Sequence, residues 1–279
     1  MIGGSLSRWT MAYFAAALVS LLAAEALMAW GYGYPAAAPT APATLVVVHL
    51  GTIGWLSLLM CGALFQFVPV LVNRPLASPA LVLPALLSLV AGLVSLVLGF
   101  LSLDGSIDPS IPFLPIAGPL LCLGFGMAAW VVGMTIARAR PLSIPAAFVG
   151  AGLAGLAATA ALGLVFTQVL GGTISEGPLV QLAARGVPIH AAAGLGGWLG
   201  MCAVGVSYRL FPMFLLAPDL VRPGTRLAFI LATIAAGTAI GGGLAVVLAG
   251  WPLSQVMSAA ALAGAGAALF YGRDVVFFY

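Results

Sequence analysis

His49 and His190 are the only histidines of the chain, and both lie inside long apolar stretches of sequence. An imidazole at membrane depth is costly to desolvate, so it is expected to face the interior of a helix bundle and to have a partner there. Glu25 lies in a third apolar stretch, at a similar distance from its end. Counting about 1.5 Å of rise per residue places these three side chains in one layer, in the outer third of a bilayer. They form the candidate site.

The first chemistry that these residues suggest is a b-type heme with His49 and His190 as axial ligands. Imidazole is a usual ligand of heme iron, and facing helices of a bundle core are where such ligands converge. Arg185 precedes His190 on the same side of the membrane and is suited to pair with heme propionates. No C-x-x-C-H sequence occurs, so covalent c-type attachment is not expected.

Two other interpretations use the same residues. Glu25, His49 and His190 would make a two-histidine, one-carboxylate metal site, either as direct ligands or with Glu25 supporting the histidines. Thioether and thiol groups suit Cu(I), and Met60–Cys61 and Met201–Cys202 each follow a histidine at a similar spacing, which would serve a copper or other metal transporter. Alternatively the histidines only pin helices together, in a cofactor-free assembly or structural subunit of a respiratory complex.

The composition identifies the elements that must position these side chains. Only 5% of the residues are charged and 63% are hydrophobic, whereas about 25% are charged in a typical soluble domain. A soluble enzyme and a disordered chain are excluded, and the net charge of +3 is no nucleic-acid footprint. The sequence predicts an all-α integral membrane protein, because its apolar runs are too long for barrel strands. Eight runs are long enough to span a bilayer: 9–30, 44–72, 80–102, 113–137, 144–170, 187–216, 226–249 and 253–272.

The positions of the arginines predict the orientation of the spans. Most lie at the N-terminus, in the even-numbered connections or at the C-terminus: Arg8, Arg74, Arg138, Arg140, Arg222, Arg226 and Arg273. Because positive residues accumulate on the cytoplasmic side, both termini are expected to be cytoplasmic, in a bacterial-type inner membrane. The bilayer is the expected partner, and a homo-oligomer is compatible with the sequence.

The second and sixth runs resemble each other. A shift of about 143 residues superposes four residues of uncommon type in one register. The pairs are Gly54 with Gly197, Trp55 with Trp198, Gly62 with Gly205, and Pro69 with Pro212. The sequence therefore predicts two four-helix repeats, 1–140 and 141–279, which run in parallel because each contains an even number of helices.

These two helices resemble one helix of the heme–copper oxidase superfamily, which includes the nitric oxide reductases and C-family oxidases. That helix has the form H-x-H-x-G-x-x-G-W. By distance from the following tryptophan, His49 matches the second histidine of the form, a ligand of the low-spin heme. His190 matches the first, which ligates the active-site heme. Val47 and Ala192 stand where the companion histidines would be.

The resemblance implies heme binding on a reduced relative of subunit I, similar to the NnrS-like heme membrane proteins. It covers about 50 residues, and the two histidines leave none for the copper centre of that superfamily. A complete oxygen or nitric oxide reductase is therefore not expected, and whether the chain is an enzyme stays open. The expected role is electron transfer, or a redox or nitric-oxide-linked respiratory function, with a periplasmic electron donor or a respiratory complex subunit as partner.

Overall fold

The computed structural model describes residues 8–108, 110–217 and 223–276. These residues are mainly helical, and no strand occurs among them. Eight helices are long and apolar enough to cross a membrane, and they match the eight predicted runs to within about four residues at each end. We number all the helices in chain order, with one short helix as α6: α1 Arg8–Ala29, α2 Pro42–Val72, α3 Pro79–Leu103, α4 Phe113–Ala137, α5 Ile144–Leu170, α6 Pro178–Arg185, α7 Val187–Leu215, α8 Pro223–Leu248 and α9 Ser254–Val276. The chain is a multi-pass membrane protein.

Glycines in the left-handed backbone region end three of the spans. Gly105 follows α3 with φ 76°, Gly172 follows α5 with φ 75°, and Gly250 follows α8 with φ 76°. After α3, the amide of Ser106 donates to the carbonyl of Leu101 and so satisfies one of the last free carbonyls of the helix. Only glycine adopts this conformation without a steric cost, which makes these residues local stop signals.

The short helix α6 was not predicted. It begins after Gly177 (φ 85°) with Pro178 at its first position, and it ends at Arg185, directly before α7. Proline is favourable at a first helical position because its missing amide would have no partner there. Eight residues are too few to stand out from a connection in a search for membrane spans.

The chain divides into two compact units, each described here by itself. Unit one comprises 8–67, 76–132 and 163–175, and unit two comprises 68–75, 133–162 and 176–276, within the described residues. The predicted boundary between residues 140 and 141 remains a sequence-based prediction.

The core of unit one packs α1 against α2 and α3. The Tyr13 ring contacts the Phe65 ring edge-on, with 5.4 Å between centroids, and its hydroxyl donates to the Val82 carbonyl at 3.0 Å. On the same pair of helices, the Gln66 amide donates to the Thr10 hydroxyl at 2.9 Å. These polar contacts fix the register of α1 beside the helix that carries His49.

The core of unit two packs α7 against α5 and α8. Buried Phe148, Met201, Tyr208 and Ala228 form its centre. The Phe148 ring meets the Tyr208 ring at 5.8 Å between centroids and the Phe229 ring at 5.0 Å. This aromatic cluster holds one end of the helix that carries His190.

Candidate functional site

His49 lies in α2 with one ring nitrogen already bonded. Its Nδ1 is 2.8 Å from the carbonyl oxygen of Leu45, one turn earlier in the same helix. Because a carbonyl oxygen only accepts, Nδ1 must carry the proton, and Nε2 keeps its lone pair. Histidines that bind metal usually donate their other ring N–H in this way, which fixes both the tautomer and the ring orientation. The imidazole also packs on the ring of Phe100 from α3, at 5.2 Å between centroids and a tilt of 39°.

The backbone changes its winding directly after His49. Residues Leu50–Ser57 form a π-helical segment inside α2, followed by regular α-helix. Such segments are rare and occur frequently at functional sites. A Cβ added to Gly51 would meet no atom within 4 Å. Gly51 is two residues past His49, about half a turn, so this open space lies on roughly the opposite face of the helix.

Gly54 has a different environment. A Cβ there would lie 2.6 Å from the Cβ of Ser20 and 2.9 Å from Cδ2 of Leu93. This glycine therefore lets α1 and α3 approach α2 closely. Close packing of the helices explains why residue 54 is a glycine.

His190 lies in α7 of unit two, half-buried, beside the fully buried Ile189. A second π-helical segment, Ala192–Gly200, begins two residues after it. The two π-helical segments end at Ser57 and Gly200, which are 143 residues apart, as in the proposed repeat. A Cβ on Gly196, which is exposed and six residues past His190, would meet no atom within 4 Å.

These observations test whether the residues present fit a heme. His49 has the tautomer of a metal ligand, and a π-helical segment follows each histidine. In unit one, the unprotonated Nε2 of His49 therefore meets the chemical requirement for an axial ligand of heme iron. His49 belongs to unit one and His190 to unit two.

The other predicted site residues have definite positions. Glu25 lies on the exposed face of α1. Arg185 is half-buried at the end of α6, and its guanidinium donates to the backbone carbonyl of Trp251 in the connection between α8 and α9. A guanidinium has five donors, so this bond leaves others for an anionic group.

The Met–Cys pairs are embedded in helix packing. Cys61 and Cys202 are buried, Met201 belongs to the core of unit two, and the Cys202 thiol lies 4.0 Å from the Val149 carbonyl. Across the described ranges, no three His, Cys, Asp or Glu side chains form a group that could hold a metal ion.

A buried carboxylate in unit two was missed by the sequence analysis. Asp274, near the end of α9, is 4% exposed. Its Oδ2 accepts from the Tyr208 hydroxyl at 3.0 Å and from the Thr225 hydroxyl at 2.9 Å. Little in the sequence indicated this role, because Asp274 lies just beyond the predicted span 253–272 and beside Arg273.

Tyr32 lies in the connection between α1 and α2 of unit one. Its hydroxyl is buried, and none of the described residues accepts from it or donates to it. Burial, and secondly the nearby Asp104 carboxylate, raise the pKa of Tyr32 above its usual value. Asp104 follows α3 one turn beyond Phe100, the residue that contacts His49. Tyr32 therefore belongs to the same end of unit one as the candidate ligand.

Comparison with protein-family models gives no match for this chain. Comparison with curated proteins gives no match either.

Proposed function

We propose that this chain is a membrane b-type cytochrome-like protein in which His49 and His190 are the axial ligands of one heme b. The bond from Nδ1 of His49 to the Leu45 carbonyl is the observation that carries the proposal, since it orients the ring and leaves Nε2 for iron. The Phe100 ring packs against the imidazole of His49 and limits how far that ring can tilt. A six-coordinate heme of this kind supplies one-electron transfer at a potential set by its ligands and surroundings.

The parallel between the two histidines supports a two-repeat architecture. Each histidine is followed by a π-helical segment, and the two segments are one repeat length apart. The paired glycines also contact corresponding helices: a Cβ on Gly62 would meet Tyr13 of α1 at 2.9 Å, and one on Gly205 would meet Phe148 of α5 at 2.7 Å. Because α1 and α5 are the first helices of the proposed repeats, this agreement favours two parallel four-helix halves, 1–140 and 141–279.

The sequence resemblance then suggests the biological setting. A reduced relative of the heme–copper oxidase and nitric oxide reductase subunits, without their copper centre, would pass electrons or report redox state. The arginine distribution supports a bacterial-type inner membrane with both termini cytoplasmic. A periplasmic donor or a respiratory complex subunit would be its electron partner. Arg185 would pair with a propionate through the donors that Trp251 does not use.

A reduced-minus-oxidised visible spectrum with a pyridine hemochromogen assay on purified protein tests the proposal. We expect one heme b per chain with six-coordinate bands. His49→Ala and His190→Ala should each abolish those bands. Thr52→Ala is the matched control, since Thr52 is in the same helix and its hydroxyl donates to the backbone carbonyl of Val48. A protein that stays colourless after expression with added heme, or an unchanged six-coordinate spectrum in both histidine variants, would refute the assignment.

A further inference from the structure

Unit two contains a cavity of about 430 Å³ between α7, α8 and α9. Its wall is largely alanine and glycine, with Phe148, two methionines and Tyr271 among the larger residues. The lining runs along α7 from Ala192 to Val204, which is about 18 Å of helix. Its volume lies in the range of sites for small molecules, about 300–1,000 Å³.

Contacts between these helices lie beyond both ends of the cavity. At one end, the side chain of Ile189 fills the space beside Gly243, whose added Cβ would lie 2.9 Å from it. At the other end, α7 and α8 both bind α9 through Asp274, which accepts from Tyr208 and Thr225. The cavity therefore lies between two sets of interhelical contacts.

The cavity opens at the side of the protein. Ala261 and Ala268 of α9 line it and are also exposed. In a bilayer this side faces the acyl chains, so a lipid-soluble molecule reaches the cavity without passing through water. An apolar space of this size forfeits many dispersion contacts when empty, which favours an apolar occupant.

One end of the cavity carries a directed hydroxyl pair. The Ser207 hydroxyl donates its only proton to the Val204 carbonyl at 2.8 Å. In the 2.8 Å contact between Ser207 and Tyr271, the tyrosine must therefore be the donor. The Tyr271 oxygen keeps an acceptor lone pair, and Tyr271 lines the cavity. A ligand that carries a hydrogen-bond donor would match this acceptor.

We propose that the cavity of unit two binds a lipid-soluble phenol or alcohol, with its apolar body between α7, α8 and α9 and its hydroxyl donating to the Tyr271 oxygen. Gly196, near His190, lines one end of this cavity, whereas Tyr271 lines it near the Ser207 end of α7, 17 residues past His190 along the helix. Binding can therefore be measured on the heme-free chain, and its outcome is separate from that of the cytochrome assignment. Phenols are favoured over long-chain alcohols, because alanine and glycine walls make a smooth surface against which a flat ring packs closely.

Saturable binding of radiolabelled 4-nonylphenol to the full chain in lipid nanodiscs, with empty nanodiscs subtracted, tests the proposal. We expect about one site per chain, and we expect the methyl ether 4-nonylanisole to bind about three- to tenfold more weakly, because it lacks the donor. Tyr271→Phe should reduce phenol binding to the level of the ether.

Ala261→Leu places a larger side chain in the cavity and should weaken binding of both probes about tenfold or more. Ala259→Leu is the matched control, because Ala259 is on the same helix, exposed and outside the lining. Absence of saturable binding, or equal binding in the two leucine variants, would overturn the proposal. Equal affinity for phenol and ether would also overturn it, since a cavity that takes only an acyl chain does not discriminate between them.

Discussion

Gly155 of α5 lies directly against the backbone of Gly197 in α7, so that a Cβ on Gly155 would collide with the Gly197 carbonyl carbon. Gly197 is within the π-helical segment that follows His190. The position of this segment therefore depends on a contact between two backbones, in which neither side has a flexible side chain that could move aside.

Gly155→Ala should destabilise unit two by about 2–3 kcal/mol, the upper part of the usual range for overpacking. This loss is measured as a decrease in the free energy of unfolding, by titration with a denaturing detergent. Gly150→Ala is the control in the same helix: its Cβ meets nothing within 4 Å, so it should be neutral or stabilising by up to about 1 kcal/mol. Equal stability of the two variants would contradict the contact.

Gly54→Ala should destabilise unit one by about 1–2 kcal/mol. The added Cβ would lie 2.6 Å from the Cβ of Ser20. That Cβ is held by its own backbone and cannot rotate away, so the helices would have to shift slightly. Ser20→Gly should recover part of the loss, and a double-mutant cycle measures that coupling. Strictly additive effects would show that Ser20 is not the obstacle. Gly51→Ala is the control, measured in the heme-free chain, because its added Cβ would meet no atom within 4 Å.

Asp274→Leu should cost about 2–4 kcal/mol, because it leaves the buried hydroxyls of Tyr208 and Thr225 without their acceptor. Asp274→Asn should cost much less, since the amide oxygen still accepts both bonds. Tyr208→Phe, which removes one donor, should cost about 1 kcal/mol. Thermal unfolding of the three variants ranks their stabilities. If the Asn variant were as unstable as the Leu variant, the negative charge itself would be required.

Tyr32→Phe should be neutral or slightly stabilising near pH 7, because it removes a buried hydroxyl that none of the described residues satisfies. The pKa of Tyr32 is raised in the folded chain, so folding favours its neutral form. That contribution is complete below the usual tyrosine pKa of about 10 and is lost as pH rises through the folded-state value.

Wild type should therefore lose more stability than Tyr32→Phe between about pH 9 and pH 11. Melting temperatures of both proteins across this range provide the measurement. Parallel curves for the two proteins would show that Tyr32 does not titrate differently on folding.

The eight spans follow from the sequence alone because each is a local property. A helix in a bilayer satisfies its own backbone hydrogen bonds, so about 20 apolar residues are sufficient to predict it. Glycines such as Gly105 and Gly250 end helices by their local conformation, which also makes boundaries predictable. His49 and His190 stood out for a similar reason, since an ionisable side chain at membrane depth is costly wherever its partners lie.

The tertiary structure decided what surrounds those residues. The apolar pattern of LGTIGWLS does not distinguish π from α winding, and the sequence does not show that Gly54 meets Ser20 whereas Gly51 meets nothing. Asp274 resembles an ordinary charge at a helix end until Tyr208 and Thr225, 66 and 49 residues away, are found bonded to it. Contacts between helices depend on how side chains of distant segments fill shared space, and that information is absent from any one segment.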